Sequence, residues 1–209
     1  MTHKVNPKIF RIGTTQEWDS NWFSSKKYKE NLEEDWKIRQ ILAKEFSKGV
    51  VEKINIKRLG ERINIIIKTA RPGLIIGRGG EGVEALLKKM AKKLNKKDIK
   101  LDIEEIRDPS TSASLLAQQI AVDFERRVPY KRAVKRTIER VFRSGKVGGI
   151  KIRVKGRLDG VEIGRNELFK EGKLPLNTIR ADIDYSEARA ECTYGIVGIK
   201  VWLYKGEKA

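Results

Sequence analysis

The chain has 209 residues, 39% apolar and 35% charged, enough for one or two domains with real cores under a heavily charged surface. Lys and Arg number 46 against 28 Asp and Glu, and the resulting +18 repels itself unless a polyanion neutralises it; nucleic acid is the first partner to consider, an anionic membrane the second. A single cysteine, Cys192, and a single histidine, His3, exclude an intrachain disulfide and a Cys/His zinc site, and no apolar run approaches the roughly 18 residues of a membrane helix.

Residues 1–29 read as a basic arm. Lys4, Lys8 and Arg11 alternate with Val5, Ile9, Phe10 and Ile12, and Trp18, Trp22 and Phe23 follow. The opening lacks the apolar core of a secretory signal. The aromatics either stack on RNA bases or pin the arm to a domain; for Trp22 and Phe23 pinning is the preferred reading. A helix is predicted over residues 31–48, with Ile38, Ile41, Leu42 and Phe46 at helical spacing and Glu33, Glu34 and Asp35 in the first turn. Strands are predicted over 51–57 and 62–69, paired as a hairpin.

The stretch ARPGLIIGRGGEGVEALL, residues 70–87, comes next. Pro72 suits the first position of a short helix, where its missing N–H costs nothing. Gly77, Arg78, Gly79 and Gly80 then form a Gly-x-x-Gly turn before an amphipathic helix marked by Val83, Leu86, Leu87, Met90 and Leu94. Glycines permit positive φ and close approach of the backbone to another molecule. Short helix, glycine turn and long helix match the clamp of a KH domain, which grips about four nucleotides of single strand. The literal G-x-G-x-x-G of residues 77–82 also fits a dinucleotide fingerprint, but that motif requires a strand running into its first glycine, and Pro72-Gly73 interrupts. A phosphate-binding P-loop fails because no Gly-Lys-Ser/Thr ends the loop. A plain turn between two helices remains the bland alternative. A strand over 100–106 completes the order helix, strand, strand, short helix, glycine loop, helix, strand, that of a type II KH fold over residues 30–107.

Asp108-Pro109-Ser110 marks a boundary. In residues 108–209, Leu116, Ile120 and Phe124 share a helical stripe, and Val128-Pro129 breaks that helix. A second helix over 130–143 buries Val134, Ile138, Val141 and Phe142 and turns Arg132, Lys135, Arg136, Arg140 and Arg143 outward, a nearly one-sign face that favours RNA contact. Residues 150–157 alternate strictly: Ile150, Ile152 and Val154 face helices, and Lys151, Arg153, Lys155 and Arg157 form a basic sheet surface. Further strands are predicted over 161–169, 178–190 and 196–204, giving a two-helix, four-stranded α+β domain. Cys192 reads as a small apolar residue packed in a sheet. No acidic pair has catalytic spacing, and no catalytic residue, metal ligand or cofactor is expected.

Several blocks together resemble one family: KVNP and FRIG in the arm, TARPGLIIGRGGEGVE, ERRVPYKRAVKR, and PLNTIRADIDYSEARAECTYGIVGIKVWLYKGE at the end. They are similar to ribosomal protein three of the small subunit in bacteria and organelles, over essentially the whole chain. The resemblance implies an α+β chain with an N-terminal KH type II domain and a C-terminal α+β domain. It further implies a cytoplasmic or organellar constituent of the small ribosomal subunit that binds ribosomal RNA in the head, beside small-subunit proteins ten and fourteen. It implies that the chain lines the channel by which messenger RNA enters, and helps unwind messenger without nucleotide hydrolysis, membrane or small-molecule substrate. The family's basic residues at that channel fall on Lys131, Arg132 and Lys135, and Arg127 and Arg136 are grouped with them. Lys131 stands where Arg is frequent, keeping the charge and losing the bidentate fork. Contact with ribosomal RNA is expected of Lys4, Lys8, Arg11, Lys151, Arg153, Lys155, Arg157 and Arg165. The other functions to separate from this one are a free KH-type regulator of messenger RNA and a nicotinamide-dependent enzyme.

Overall fold

Two hydrophobic cores divide the chain. A computed structural model describes residues 5–46, 48–60, 62–94 and 98–207. Residues 18–107 build one unit; residues 108–207 build the other, joined by residues 5–17. The expected arm of 1–29 is therefore not one segment: its two halves serve different cores. In chain order the elements are α1 (Pro7–Phe10), β1 (Ser20–Asn21), α2 (Tyr28–Glu45), β2 (Val51–Leu59), β3 (Arg62–Thr69), α3 (Pro72–Ile76), α4 (Glu81–Leu94), β4 (Ile99–Glu105), α5 (Ala113–Glu125), α6 (Tyr130–Arg143), β5 (Gly149–Gly156), β6 (Arg165–Gly172), β7 (Ala181–Cys192) and β8 (Gly195–Glu207). Among the described residues, no helix is long and apolar enough to cross a membrane.

In the first unit the sheet order is β1-β2-β3-β4. The β2–β3 hairpin is antiparallel, running from Lys53 opposite Lys68 to Leu59 opposite Arg62. β3 and β4 are parallel, Ile63 opposite Ile99 and Thr69 opposite Glu105. Parallel neighbours need a crossover, and α3, the glycine loop and α4 supply it. Ile63, Ile65 and Ile67 of β3 alternate into the core, where they meet Ile38 and Leu42 of α2, Ile75 of α3, and Leu86 and Met90 of α4. The second half of the arm is fastened by a buried polar cluster. Arg58 lies between Glu34, at 2.5 Å, and Asp35, and the Trp22 indole Nε1–H donates to Asp35 Oδ2 at 2.8 Å. Trp22 thus pins the segment, whereas Phe23 is 94% exposed and pins nothing.

In the second unit the antiparallel order is β6-β5-β8-β7. α5 and α6 share one core with the sheet, built from Ile120, Val134, Ile138, Ile150, Ile152, Val154, Ile199 and Val201 among others. Cys192 is a partly buried member of that packing. Ser112 caps α5, its Oγ accepting from Leu115 N at 3.4 Å, and Asp184 reaches from β7 to accept from Ala113 N at 2.9 Å.

Two strands start later than periodicity indicates. β6 begins at Arg165, not Val161, because β5 ends at Gly156 and the ladder places Arg165 opposite it. The intervening residues turn at Leu158–Gly160, with Asp159 at φ 53°. β7 begins at Ala181, not Thr178, because the carbonyls of Leu176 and Thr178 are taken by the Arg11 guanidinium.

Candidate nucleic-acid interface

The glycine loop is set by the elements on either side of it. Thr69, at the buried end of β3, donates its hydroxyl to Val50 O at 2.8 Å and accepts from Arg71 N at 3.1 Å, fixing where the chain leaves the sheet. Pro72 then opens α3, and Gly77 N–H donates to Gly73 O at 3.0 Å to close it. Gly77 and Gly79 have φ 71° and 62°, conformations that favour glycine. Gly82 answers a different need. A Cβ there would lie 2.6 Å from Ile75 O and 2.9 Å from Ile76 O, so only glycine lets α4 start against the end of α3. Arg78 is exposed at the tip, and Leu74 and Ile76 expose apolar surface beside it. Nothing in the sequence singles out Thr69, and Gly82 enters there only as the last glycine of the dinucleotide fingerprint, not as the site of this close approach. A helix stands where the dinucleotide fingerprint requires a strand, which removes that reading.

α6 presents the second candidate surface. Ala133, Val134, Thr137, Ile138 and Val141 are buried, and Lys131, Arg132, Lys135, Arg136, Arg140 and Arg143 are exposed. The cations differ in what they already hold. Arg136 Nη2 lies 2.6 Å from Asp123 Oδ2, a buried carboxylate on α5, so this arginine also ties the two helices together. Arg140 donates to Gln119 Oε1 at 3.2 Å. The Lys131 ammonium sits 5.8 Å from the Tyr130 ring centroid. Arg132 and Lys135 have no ion pair or side-chain hydrogen bond among the described residues, and both are exposed. With Arg143 at the end of the helix, they are the cations of this face left without a counter-charge or other side-chain partner among the described residues.

The open face of the second sheet carries Lys151, Arg153 and Lys155. Lys151 is half-buried, its ammonium 5.0 Å from the Trp202 ring centroid. Arg153 Nε donates to Asn166 Oδ1 at 2.7 Å, while Lys155 is exposed. Arg165 is exposed at the start of β6. Arg157 corrects the expected alternation. The strand ends at Gly156, so Arg157 leaves the sheet face and donates instead to Val161 O and Tyr194 O, with Tyr194 beneath its guanidinium. Arg127 is exposed in the α5–α6 connection and lies near it, both lining one cleft.

Arg11 is the clearest departure from expectation. Its side chain is fully buried. The Nε donates to Ala181 O at 2.8 Å, Nη1 to Pro7 O at 3.1 Å, and Nη2 to Leu176 O at 2.9 Å and Thr178 O at 2.8 Å. Four of its five N–H groups are so occupied and the side chain is out of reach of solvent, so Arg11 is a structural clamp holding the first arm segment on β7. Burial pulls its pKa down, and Asp182 partly restores it. Lys8 is half-exposed, 3.7 Å from Asp184. Lys4 lies outside the described residues. No group of three or more His, Cys, Asp or Glu among the described residues could hold a metal ion.

Comparison with known proteins gives the same two-part division. The KH domain family matches residues 37–111, and the ribosomal protein S3 C-terminal domain family matches residues 120–203. Small ribosomal subunit protein uS3 of Syntrophomonas wolfei is 48% identical over 207 residues, covering 99% of this chain and 90% of that protein. The uS3 proteins of Caldicellulosiruptor saccharolyticus and Clostridium botulinum (strain Hall) are each 47% identical over 208 residues, covering 99% of this chain and 93% of theirs. Identity near one half along almost the full length, over a KH fold and an S3-type C-terminal domain, means that this chain belongs to the uS3 family of small-subunit ribosomal proteins.

Proposed function

We propose that this chain is a structural, non-enzymatic constituent of the small ribosomal subunit that holds ribosomal RNA in the head and lines the path by which messenger RNA enters. The observation that carries the reading is the α6 face, where Arg132 and Lys135 stand exposed without a counter-charge. A spacing of three residues places both on one helical face. Cations so placed neutralise backbone phosphates, which positions a strand without reading its sequence. Lys131 and Arg127 extend the positive surface, and Arg136 shares its charge with Asp123.

The remaining contacts divide by chemistry. Lys155, Arg153 and Arg165 hold ribosomal RNA from the sheet side, as does Lys8. The glycine loop, with Arg78 at its tip, grips single-stranded RNA by close backbone approach. Small-subunit proteins ten and fourteen are neighbours in the head, and the site of action is the cytoplasm. At the messenger path the α6 cations act as a passive wedge, holding separated backbones after a base pair opens and slowing its closure.

The test is translation by ribosomes carrying Arg132→Ala with Lys135→Ala. They should assemble normally, slow on messengers with a stable downstream hairpin, and slow far less on unstructured ones. Equal slowing on both rejects an unwinding role; failure to assemble assigns these residues to ribosomal RNA.

A further inference from the structure

A cleft of about 470 Å³ opens in the C-terminal unit between the end of α5, the α5–α6 connection, the turn after β5 and the β7–β8 hairpin. Its size falls within the roughly 300–1,000 Å³ of ligand sites. Phe124, Leu158 and Val197 make a buried apolar floor. Tyr194 stands at the rim, 57% exposed, with the Arg157 guanidinium held 5.8 Å from its ring centroid. Arg127 and Glu191 complete the rim, both exposed, and the Glu191 carboxylate has no hydrogen bond or ion pair among the described residues.

The backbone gives an independent sign. Among the described residues only Arg127 and Asp159 combine a side chain with positive φ, at 62° and 53°, and both line this cleft. Asp159 has a structural reason, since it accepts from Tyr130 N at 3.2 Å. Arg127 occupies the left-handed position just past α5, where Arg127 N–H donates to Phe124 O and Val128 N–H to Asp123 O. Glycine is the residue that usually fills that position. A long cation kept there instead, at the mouth of a cleft, is the kind of strain that gathers at binding sites.

We propose that this cleft takes one unpaired, amino-bearing RNA base. The base stacks on Tyr194 over the apolar floor, its exocyclic amine donates to the Glu191 carboxylate, and the flanking phosphates meet Arg127 and Arg157. Glu191 disfavours a bare anion in the cleft and disfavours uracil, which lacks the amine and whose N3–H lies between two carbonyl oxygens that a carboxylate repels. The inference rests on the RNA-binding reading above and adds a site and a base preference to it.

Cys192 lines the cleft and is the chain's one cysteine, so its alkylation rate reports occupancy. The full chain is mixed with oligoadenylate or oligouridylate, binding is followed separately by fluorescence anisotropy, and alkylation of Cys192 is timed. Oligoadenylate should slow alkylation about tenfold, in keeping with the worth of one stacked base. Oligouridylate should bind through the basic faces and slow alkylation far less, since stacking alone is left to it. Tyr194→Ala and Glu191→Gln should each abolish the protection with little change in unfolding temperature or total RNA binding. Binding of both oligonucleotides without protection overturns the cleft proposal and leaves the RNA-binding reading intact; no binding of either overturns the reading itself. In reconstituted small subunits, protection without messenger identifies a ribosomal RNA base, and protection only with messenger identifies a messenger base. Protection in subunits that survives both substitutions means a protein side chain fills the cleft, and absence of protection throughout means nothing does; either result overturns the proposal.

Discussion

Replacing Arg11 separates a structural clamp from an RNA contact. Four carbonyl oxygens receive its guanidinium, and the bonds to Ala181 O and Pro7 O are buried. Arg11→Ala leaves those two acceptors without a donor, and each buried unsatisfied group costs about 1–3 kcal/mol. The carbonyls of Leu176 and Thr178 are only partly buried and regain water, so their loss is smaller. The expected destabilisation of the C-terminal unit is about 2–5 kcal/mol, a fall in its unfolding temperature of roughly 10–20 °C. Arg11→Lys should recover only part of this, because one ammonium cannot span the carbonyls that a planar fork reaches. Differential scanning calorimetry of the full chain reads the shift, and RNA binding is measured well below the lowered transition. Affinity for single-stranded RNA should change less than about twofold, since no phosphate contact is lost. An unchanged unfolding temperature together with a shallower salt dependence of RNA binding would refute the clamp and return Arg11 to the RNA surface.

Three further outcomes are expected. Arg78→Asp with Gly79→Asp should weaken single-strand binding at a stability cost of only about 1 kcal/mol, because a Cβ on Gly79 meets nothing within 4 Å and Asp bears the strain of its φ of 62° better than most residues; equal affinity for every RNA tried would leave the KH fold as scaffold. Gly82→Ala should cost about 1–3 kcal/mol by denaturant unfolding and also weaken RNA binding, since α4 must move off the end of α3; wild-type stability would show that the helix junction is loose. The Glu187 carboxyl is held below its ordinary range by hydrogen bonds from Lys200 and then Tyr185. It therefore contributes stability above its unfolded-state pKa that is lost as pH falls through the folded value, and Glu187→Gln should flatten the acid side of the stability profile below about pH 5. The group is exposed, so the effect should be under about 1 kcal/mol and shrink in salt; an identical acid profile for both proteins would count against it.

The legible parts of the chain were those with strong local signals. Tyr130–Arg143 matches α6 to the residue, because Pro129 fixes its start and the apolar spacing fixes its buried face. Arg62–Thr69 likewise matches β3, whose centre is β-branched on both faces. What the sequence hid were partners far along the chain. Arg11 looks like any arm cation, and only the return of residues 176–181 to the first segment buries it. Trp22 is settled by Asp35, itself held by Arg58 from β2. The alternation through Arg157 misled because periodicity continues past the point where the ladder to β6 stops at Gly156. On α6 the sequence showed a row of equal cations, and the structure ranks them: Arg136 and Arg140 have partners on α5, Arg132 and Lys135 have none.

That ranking is the core of the functional account, and the salt dependence of messenger binding tests it most directly. Small subunits carrying either the wild-type chain or Arg132→Ala with Lys135→Ala are titrated with an unstructured messenger at several salt concentrations. If both side chains neutralise phosphates, the slope of log affinity against log salt should shallow by about 1.4, roughly 0.7 for each lost single-strand contact. Arg136→Ala alone should shallow it less and destabilise the α5–α6 pair, because its charge is shared with Asp123. An unchanged slope in the double variant, with subunits fully assembled, would contradict the claim that this face holds messenger RNA.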